Sequence, residues 1–341
     1  MHGEGLDGVY QGCSKVGGVS VSTVSRVLGG STKVEPETRH RVEQAIETIG
    51  YRPNLLAQGL RSKSGNLLGL VVPEIRHETF ASFIEYIEEE AAARGYILVT
   101  GNTHGRPELE AAFIDILLRR HVDGIIFSRV SDRSQVLNIM AKGNTPAVII
   151  DRCLDHEDIP AISMDNYLAG LMAAEHLADL GHRSFAVITG PQNISLCRER
   201  LKGFAEHLEQ RGLSLPRRNI FEGDFKFESG IEASRYFLGK GVVFTSLWAE
   251  NDLMAVGAMN TLLRAGKRVP EEISVMGMDD TTSSKMVIPA LTTIRQPFEA
   301  MCKKAVELII SMKNGEVGEE RRFVLPPSIV IRESTSRCPG C

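Results

Sequence analysis

From about Asn66 to the C-terminus, the chain alternates short apolar runs with longer amphipathic segments. The amphipathic segments carry apolar residues at helical spacing, as between Phe80 and Gly95. Short apolar strands that alternate with helices are typical of parallel sheets covered by helices on both faces. The runs predicted as strands are Leu67–Val72, Ile97–Thr100, Gly124–Phe127, Ala147–Ile150, Ala161–Met164, Phe185–Thr189, Val242–Leu247, Ile273–Gly277 and Ser328–Ile331.

These units are too numerous for one compact sheet. The pattern therefore predicts an α/β fold in which two lobes each hold a doubly wound parallel sheet. In such folds, ligands bind outside the carboxyl ends of the strands. We expect a ligand cleft between the two lobes.

Two helical segments precede this region. The first covers residues 19–28, and Ser20 is placed to cap it. The second begins at Pro36 and ends near Ile49, before Gly50. One face of the first segment is apolar, with Val24, Val27 and Leu28. The opposite face carries methyl groups, small hydrogen-bonding groups and a cation, which suit the DNA major groove: Val21, Ser22, Ser25 and Arg26.

Four segments with fixed order and spacing carry a resemblance to a known family. They are residues 18–28, 34–39, 50–54 and 56–60, which read GVSVSTVSRVL, VEPETR, GYRPN and LAQGL. They resemble the DNA-binding headpiece of the lac repressor family of bacterial transcription factors. The resemblance extends over residues 15–335 and implies a periplasmic-binding-protein-like body.

The resemblance implies a helix-turn-helix headpiece at residues 1–52, then a hinge helix and linker at residues 53–65. By resemblance, a short hinge helix starts at Asn54, and Leu60 enters the minor groove and kinks the DNA. Val21, Ser22 and Arg26 would read bases, whereas Thr23 and Ser25 would contact phosphates. The DNA-binding positions that it implies are Ser20, Val21, Ser22, Thr23, Ser25, Arg26, Lys33, Arg39, Asn54, Ala57 and Leu60.

Residues 1–17 depart from the family pattern. Five glycines in this stretch predict a poor helix, because each Gly costs about 0.5–1 kcal/mol relative to Ala. The helix that should brace the recognition helix is therefore expected to be half missing. A shifted reading frame or start, a degraded headpiece and divergence would each explain this. The first is favoured because the resemblance begins abruptly near Lys15.

The resemblance also supplies the connectivity of the body, residues 66–335, which would bind the effector and form the dimer. Lobe one would comprise residues 66–164 and 296–323, and lobe two residues 165–294 and 324–333. The chain would cross between the lobes near Met164, Arg295 and Val324. Residues 336–341 would form a tail.

Polar and aromatic residues that follow apolar strands resemble the effector-contacting positions of the family. They suit a sugar, because Asp, Arg, Asn and Gln pair with hydroxyl groups and Phe covers the apolar face of a ring. His77, Arg76 and Arg129 could instead serve an acidic ligand, such as a sugar acid or a sugar phosphate, or could equally be charges at the rim of the cleft. The positions carried over are Phe80, Asp151, Arg152, Arg200, Phe225, Asn251, Asp279 and Gln296.

Charge divides unevenly along the chain. Residues 14–65 contain eight Lys and Arg against four Asp and Glu, whereas the whole chain has a net charge of −4. A basic module on an acidic body is consistent with a nucleic-acid contact at one end. No signal peptide or membrane-length apolar run is recognisable, which predicts a cytoplasmic protein that binds no membrane.

The sequence contains no set of residues that is typical of a catalytic site. There is no recognisable nucleophile–base set, metal-ligand cluster or phosphate loop, so we expect no enzyme activity, cofactor or metal. The six cysteines are scattered, and Cys338 and Cys341 lie on what is expected to be a frayed tail.

The sequence therefore predicts a homodimeric transcriptional regulator, a repressor of a carbohydrate-utilisation operon. Two headpieces would read the half-sites of a near-palindromic operator. A small effector bound between the lobes would control the affinity for operator DNA. A solute-binding transport protein would share the body but lack the headpiece. A sugar sensor that has lost operator binding is the other alternative, because residues 1–17 are atypical.

Overall fold

The computed structural model describes residues 4–28, 33–50, 65–132, 136–140, 143–152, 159–316 and 318–338. The chain forms two compact units, Met1–Asn66 and Leu67–Cys341. Each unit has its own hydrophobic core and is described separately. No helix in the described part of the chain is long and apolar enough to cross a membrane.

The first unit contains three helices, α1 (Glu4–Gly17), α2 (Val21–Leu28) and α3 (Pro36–Ile49). Its core is formed by residues from all three helices: Cys13, Val24, Val27 and Val42, with Tyr10, Val19, Leu28, Val34 and Ile46 packed around them. As predicted, Pro36 lies in the first turn of α3, and Gly50 ends α3 in the left-handed conformation, with φ of 66°.

The prediction of a half-missing first helix is wrong. Helix α1 is continuous over 14 residues despite its glycines. Gly17 is buried against α3, where its Cα faces Ala45 and the carbonyl of Arg41. The cost of each glycine is offset because Tyr10 and Cys13 pack into the shared core, and tertiary packing commonly outweighs helix propensity.

The second unit is built from two six-stranded sheets with helices on both faces, which confirms the predicted fold class. Its strands are β1 (Leu67–Val72), β2 (Ile97–Asn102), β3 (Gly124–Phe127), β4 (Ala147–Ile150), β5 (Ala161–Met164), β6 (Phe185–Thr189), β7 (Ile220–Glu222), β8 (Ser246–Ala249), β9 (Ser274–Asp279), β10 (Thr292–Arg295), β11 (Arg322–Leu325) and β12 (Ser328–Val330). Its helices are α4 (Glu78–Ala92), α5 (Pro107–Arg119), α6 (Val136–Met140), α7 (Asn166–Asp179), α8 (Ser195–Gln210), α9 (Phe227–Gly239), α10 (Asp252–Arg264), α11 (Thr282–Met286) and α12 (Phe298–Lys313).

Each lobe holds one sheet. The strand order in lobe one is β11-β5-β4-β3-β1-β2, and in lobe two it is β12-β10-β9-β8-β6-β7. The strand pairs are parallel except that β12 runs antiparallel to β10. The chain passes from lobe one to lobe two after Met164, returns after Arg295 and passes again after Leu325. The expected crossing at Val324 is therefore too early, because Val324 still pairs with Ser163 in the sheet of lobe one.

Further predictions about the second unit need correction. The apolar run Val242–Leu247 lies mostly outside the strand, and Val243 is 77% exposed in the irregular segment that precedes β8. The short strands β7, β10 and β11 were not predicted, because Arg, Glu and Thr residues interrupt their apolar pattern. The tail is packed as far as Cys338, whose amide donates to the carbonyl of Leu180 at 2.8 Å, so it is not frayed there.

Candidate ligand-binding cleft and nucleic-acid interface

The eight predicted effector positions line a single cleft between the lobes. Lobe one contributes residues from α4 and from the end of β4, whereas lobe two contributes α8 and the ends of β7, β8 and β9. Gln296 lies at the second crossing. The lining residues are His77, Thr79, Phe80, Asp151, Arg152, Leu196, Arg200, Phe225, Glu250, Asn251, Asp279 and Gln296.

The backbone is held in unusual conformations at three of these positions. Asp151, Phe225 and Asp279 have φ values of 71°, 67° and 117°, although none of them is a glycine. Positive φ is uncommon for such residues, and strained backbone clusters at binding sites that the surrounding fold stabilises. The strand ends are thus shaped to direct these side chains into the cleft.

Hydrogen bonds join the two lobes directly across the cleft. Thr79 Oγ1 donates to Asp279 Oδ2 at 3.0 Å, and Asn251 Nδ2 lies 3.0 Å from His77 Nε2. At the rim, Asp132 Oδ1 accepts hydrogen bonds from the amide and hydroxyl of Ser195, both at 3.2 Å. The same carboxylate pairs with Arg198 at 2.9 Å. The lobes are therefore in a closed arrangement.

Helix α8 holds Arg200 deep in the cleft wall. Gly170 and Gly203 let α7 and α8 touch backbone to backbone, since a Cβ on Gly170 would lie 1.9 Å from the carbonyl oxygen of Arg200. The Arg200 side chain is buried, and its Nε donates to Asn166 Oδ1 at 2.8 Å. Its Nη1 donates to the carbonyl of Glu250 at 3.0 Å. This places a fixed cation beside the acidic residues of the cleft.

The second guanidinium belongs to Arg152 in lobe one. Its Nη1 donates to the carbonyls of Arg129 and Val130, at 3.2 and 2.9 Å. Its central carbon lies 5.5 Å from the centroid of the Phe80 ring. The backbone of one strand end and the aromatic face together fix the orientation of this cation.

Burial shifts the pKa values of several side chains in the cleft. Desolvation raises the pKa of Asp279 to about 7, although the charge of Arg200 and the hydrogen bond from Gln296 Nε2, at 2.6 Å, act in the opposite direction. Desolvation also raises the pKa of Glu250 to about 8, and it lowers that of His77 to about 4. At neutral pH, Glu250 and His77 are therefore mainly uncharged.

Two cleft residues were missed or misplaced by the sequence reasoning. Glu250 was not predicted. It directly follows β8 and precedes Asn251, so the search for polar residues after apolar strands could have identified it. His77, Arg76 and Arg129 were left open as partners of an acidic ligand or as rim charges, and His77 lies in the cleft as a neutral side chain. Arg76 is exposed outside the cleft lining, and Arg129 is buried with Nη2 donating to the carbonyl of Asp132.

Helix α2 of the first unit presents the predicted DNA-facing side chains. Ser20 Oγ accepts a hydrogen bond from the amide of Thr23 at 3.2 Å, which caps the helix. The core-facing residues of α2 are Val24 and Val27. Among the predicted DNA-binding positions, the exposed ones are Ser20, Val21, Ser22, Arg26 and Lys33, and the half-buried ones are Thr23, Ser25 and Arg39. Three hinge positions fall outside the described residues: Asn54, Ala57 and Leu60.

Comparison with known proteins covers both units. Residues 14–54 match the family described as bacterial regulatory proteins, lacI family, and residues 174–335 match the periplasmic binding protein-like domain. The HTH-type transcriptional repressor PurR of Photobacterium profundum is 31% identical over 322 residues, which are 94% of this chain and 96% of that protein. This chain belongs to the lac repressor family.

Solved structures agree with this assignment. The lac repressor dimer bound to operator and the anti-inducer ONPF is 31% identical, with a TM-score of 0.86, over 95% of this chain and 98% of that one. The complex of the transcriptional regulator CelR with cellobiose is 30% identical, with a TM-score of 0.73, over 95% of this chain and 99% of that one. As a member of the lac repressor family, the chain is a DNA-binding transcriptional regulator, and the predicted family is confirmed.

Proposed function

We propose that this lac repressor family member is a homodimeric repressor whose affinity for operator DNA is set by a sugar or sugar derivative. The observation that carries the proposal is that one chain joins a capped α2 helix with exposed Val21, Ser22 and Arg26 to a closed two-lobed cleft. Binding DNA and a ligand reversibly needs no catalysis, so we propose no enzyme activity. An operator-binding protein acts in the cytoplasm of a bacterium.

The chemistry of the cleft supports a polyhydroxylated ligand. Carboxyl groups of Asp151 and Asp279 and guanidinium groups of Arg152 and Arg200 offer paired acceptors and donors for neighbouring hydroxyls. Two Phe rings provide faces for C–H groups. Phe80 comes from lobe one and Phe225 from lobe two, so a bound ring would contact both lobes. CelR, a relative of similar length, has been solved with cellobiose.

Effector control follows from the position of the cleft at the crossings. Gln296 directly follows Arg295, where the chain returns to lobe one, and its amide donates to Asp279 of lobe two. A ligand that binds one lobe arrangement better than the other shifts the population of the two arrangements. Since both lobes follow residues 53–65 in the chain, that shift would be passed to the operator-binding segments by the proposed hinge.

On the operator, we propose that Val21, Ser22 and Arg26 read base edges in the major groove, with Arg26 pairing with guanine. Thr23, Ser25, Lys33 and Arg39 would contact phosphates, and Ser20 would hold the start of the helix. Leu60 would enter the minor groove, and Asn54 and Ala57 would also contact the DNA. Two copies related by a two-fold axis would match a near-palindromic site.

Titration of the purified chain onto DNA from its own upstream region, at two salt concentrations, tests operator binding. We expect saturable binding that outcompetes random DNA and weakens steeply with salt. Arg26→Ala should cost about 1–3 kcal/mol on operator and little on random DNA, whereas Lys33→Ala should weaken both and lower the salt slope by about one. Equal affinity for upstream and random DNA would instead favour the alternative, a sugar sensor that has lost operator binding.

A further inference from the structure

Three buried polar atoms on residues of the cleft have no hydrogen-bond partner in the described structure. They are His77 Nδ1, Glu250 Oε1 and Gln296 Oε1. A buried polar atom without a partner loses its hydrogen bonds to water and gains none in return, so three in one cleft point to a ligand that completes them. The hydrogen bonds on the other side of each group identify which of these atoms donate and which accept.

The hydrogen bonds around Asn251 fix the tautomer of His77. Asn251 Oδ1 accepts from the amide of Met254 at 3.0 Å, so Nδ2 is the atom that donates to the Phe225 carbonyl, at 2.8 Å. The same Nδ2 donates to His77 Nε2 at 3.0 Å, which makes Nε2 an acceptor. Because the ring is neutral, its one proton is on Nδ1. The unpartnered atom of His77 is thus a donor.

Glu250 presents a second donor. Its side chain is fully buried, and Oε2 accepts a hydrogen bond from the amide of Gly190 at 2.8 Å. The charge of Arg200 and the hydrogen bonds from the Gly190 amide and the Cys197 thiol favour the ionised form of Glu250. The two hydrogen bonds of Arg200 itself go to Asn166 and to the Glu250 carbonyl. Desolvation outweighs these contributions and raises the pKa of Glu250 to about 8. Because Oε2 accepts from the Gly190 amide, the carboxyl proton is on Oε1.

Gln296 supplies the complementary acceptor. Its Nε2 donates to Asp279 Oδ1 at 2.6 Å, so its unpartnered Oε1 can accept a hydrogen bond. The three incomplete groups thus require two acceptor atoms and one donor from a ligand. A hydroxyl group can serve in either role, whereas a ring oxygen or a carboxylate supplies acceptors alone.

We propose that Glu250 is an effector-binding residue that donates a hydrogen bond through Oε1–H to an oxygen of the effector, with His77 Nδ1–H as a second donor. This inference rests on the proposed function, since it names groups of the same cleft that select the effector. The oxygen belongs to a hydroxyl or ring of a neutral sugar or to the carboxylate of a sugar acid. An acid that stays neutral in a buried site can donate, which an ionised carboxylate cannot do.

The test begins with thermal shifts of the full chain in millimolar D-glucose, D-galactose, D-ribose, D-xylose, D-gluconate, D-glucuronate and D-galacturonate. The compound with the largest shift is then titrated by calorimetry. The fluorescence of Trp248, the one tryptophan of the chain, provides a second signal, because it is buried two residues before Glu250. Preference between glucose and glucuronate separates a neutral from an anionic source of the acceptor.

Two substitutions at one position separate donation from charge. Glu250→Gln keeps a donor and the side-chain size, so it should bind within about threefold of the parent at pH 7. Glu250→Ala should weaken binding about tenfold or more. Glu209→Gln makes the same carboxyl-to-amide substitution on the exposed surface of α8 and should have no effect.

The pH profile gives a readout that a merely structural role would not change. Above pH about 8, where Glu250 ionises, the affinity of the parent should fall towards tenfold per pH unit. The Glu250→Gln profile should lack that fall. Asp151, Asp279 and the thiol of Cys197 remain in both proteins, so the difference between the profiles isolates Glu250.

Each outcome decides a separate claim. Binding that Glu250→Ala leaves unchanged, or a pH profile shared by the parent and Glu250→Gln, overturns the role of Glu250 while the sugar-controlled function stands. No thermal shift from any of the seven compounds contradicts the sugar effector itself, and the inference fails with it. Operator binding is measured independently and is untouched by either result.

Discussion

Thr79 of lobe one donates a hydrogen bond to Asp279 of lobe two, with 3.0 Å between Oγ1 and Oδ2. The other carboxyl oxygen of Asp279 accepts from Gln296, which lies at a crossing between the lobes. One buried carboxyl group thus contacts the first lobe, the crossing segment and the ligand cleft. Any change at Asp279 on ligand binding is therefore also a change in the contact between the lobes.

Replacing Thr79 by Val should favour opening of the cleft. Val has nearly the same shape but no hydroxyl, so the closed arrangement should lose about 1 kcal/mol, the usual contribution of one hydrogen bond. The amide of Ser283, which donates to Glu78 across the lobes at 3.1 Å, reports opening through its hydrogen-exchange rate. We expect exchange about fivefold faster in Thr79→Val and unchanged in Thr79→Ser. Equal rates in both variants would show that this hydrogen bond does not hold the lobes closed.

The sequence predicted the cleft better than it predicted element boundaries, and the reason is topological. In a parallel sheet the carboxyl ends of the strands meet at one edge, so a side chain such as Asn251 is placed by the register of β8 alone. Strand limits depend on long-range pairing instead. Val242 and Val243 have strong strand propensity but no neighbouring strand, and the pairing of β8 with β6 and β9 begins at Ser246.

Protonation and donor direction could not be predicted from the sequence. Whether Glu250 is ionised depends on its complete burial and on the bond from Gly190, which is 60 residues away. The orientation of His77 depends on Asn251, which lies 174 residues away. The continuity of helix α1 was also unpredictable, because its glycines are tolerated in a helix only when α3 packs against them. These features arise from tertiary contacts.

Neighbouring glycines in the headpiece should respond oppositely to substitution. A Cβ on Gly17 would lie 3.5 Å from Ala45, an ordinary contact, so Gly17→Ala should stabilise the first unit by about 0.5–1 kcal/mol through helix propensity. Gly18 has φ of 60° between α1 and α2, where Ala is strained, so Gly18→Ala should destabilise it by about 1 kcal/mol. Calorimetry of the full chain would resolve the headpiece transition. Shifts of the same sign would contradict the assigned end of α1.

The rim contact of Asp132 should govern how often the cleft opens at its edge. Asp132→Ala removes the acceptor of the Ser195 amide and the partner of Arg198. We expect the Ser195 amide to exchange about tenfold faster, because its partner lies on the other lobe. Asp115→Ala breaks a pair with Arg119 within α5 and serves as a control, for which no change is expected. Equal protection of Ser195 in the parent and Asp132→Ala would mean that the rim contact is dispensable for closure.

Stability should fall as the pH rises from 6.5 to 8.5, because buried carboxyl groups with raised pKa values, Glu250 and Asp279 among them, hold protons that the unfolded chain releases. The pKa of Glu250 is raised from 4.5 to about 8, and that of Asp279 from 3.8 to about 7. A raised pKa gives stability that is fully present below the unfolded value and is lost as the pH rises through the folded value. The lowered pKa of His77 acts in the opposite direction, but below pH 6.5.

Urea unfolding followed by the fluorescence of Trp248 measures this loss in the second unit. Each group contributes at most about 1.4 kcal/mol per pH unit, so the parent should lose about 1–3 kcal/mol between pH 6.5 and 8.5. Glu250→Gln cannot ionise and should lose about 1–2 kcal/mol less than the parent. Glu209→Gln, on the exposed surface, should follow the parent. A Glu250→Gln curve that runs parallel to the parent would show that Glu250 is already ionised at pH 6.5, and the protonated donor assigned to the cleft would then be lost.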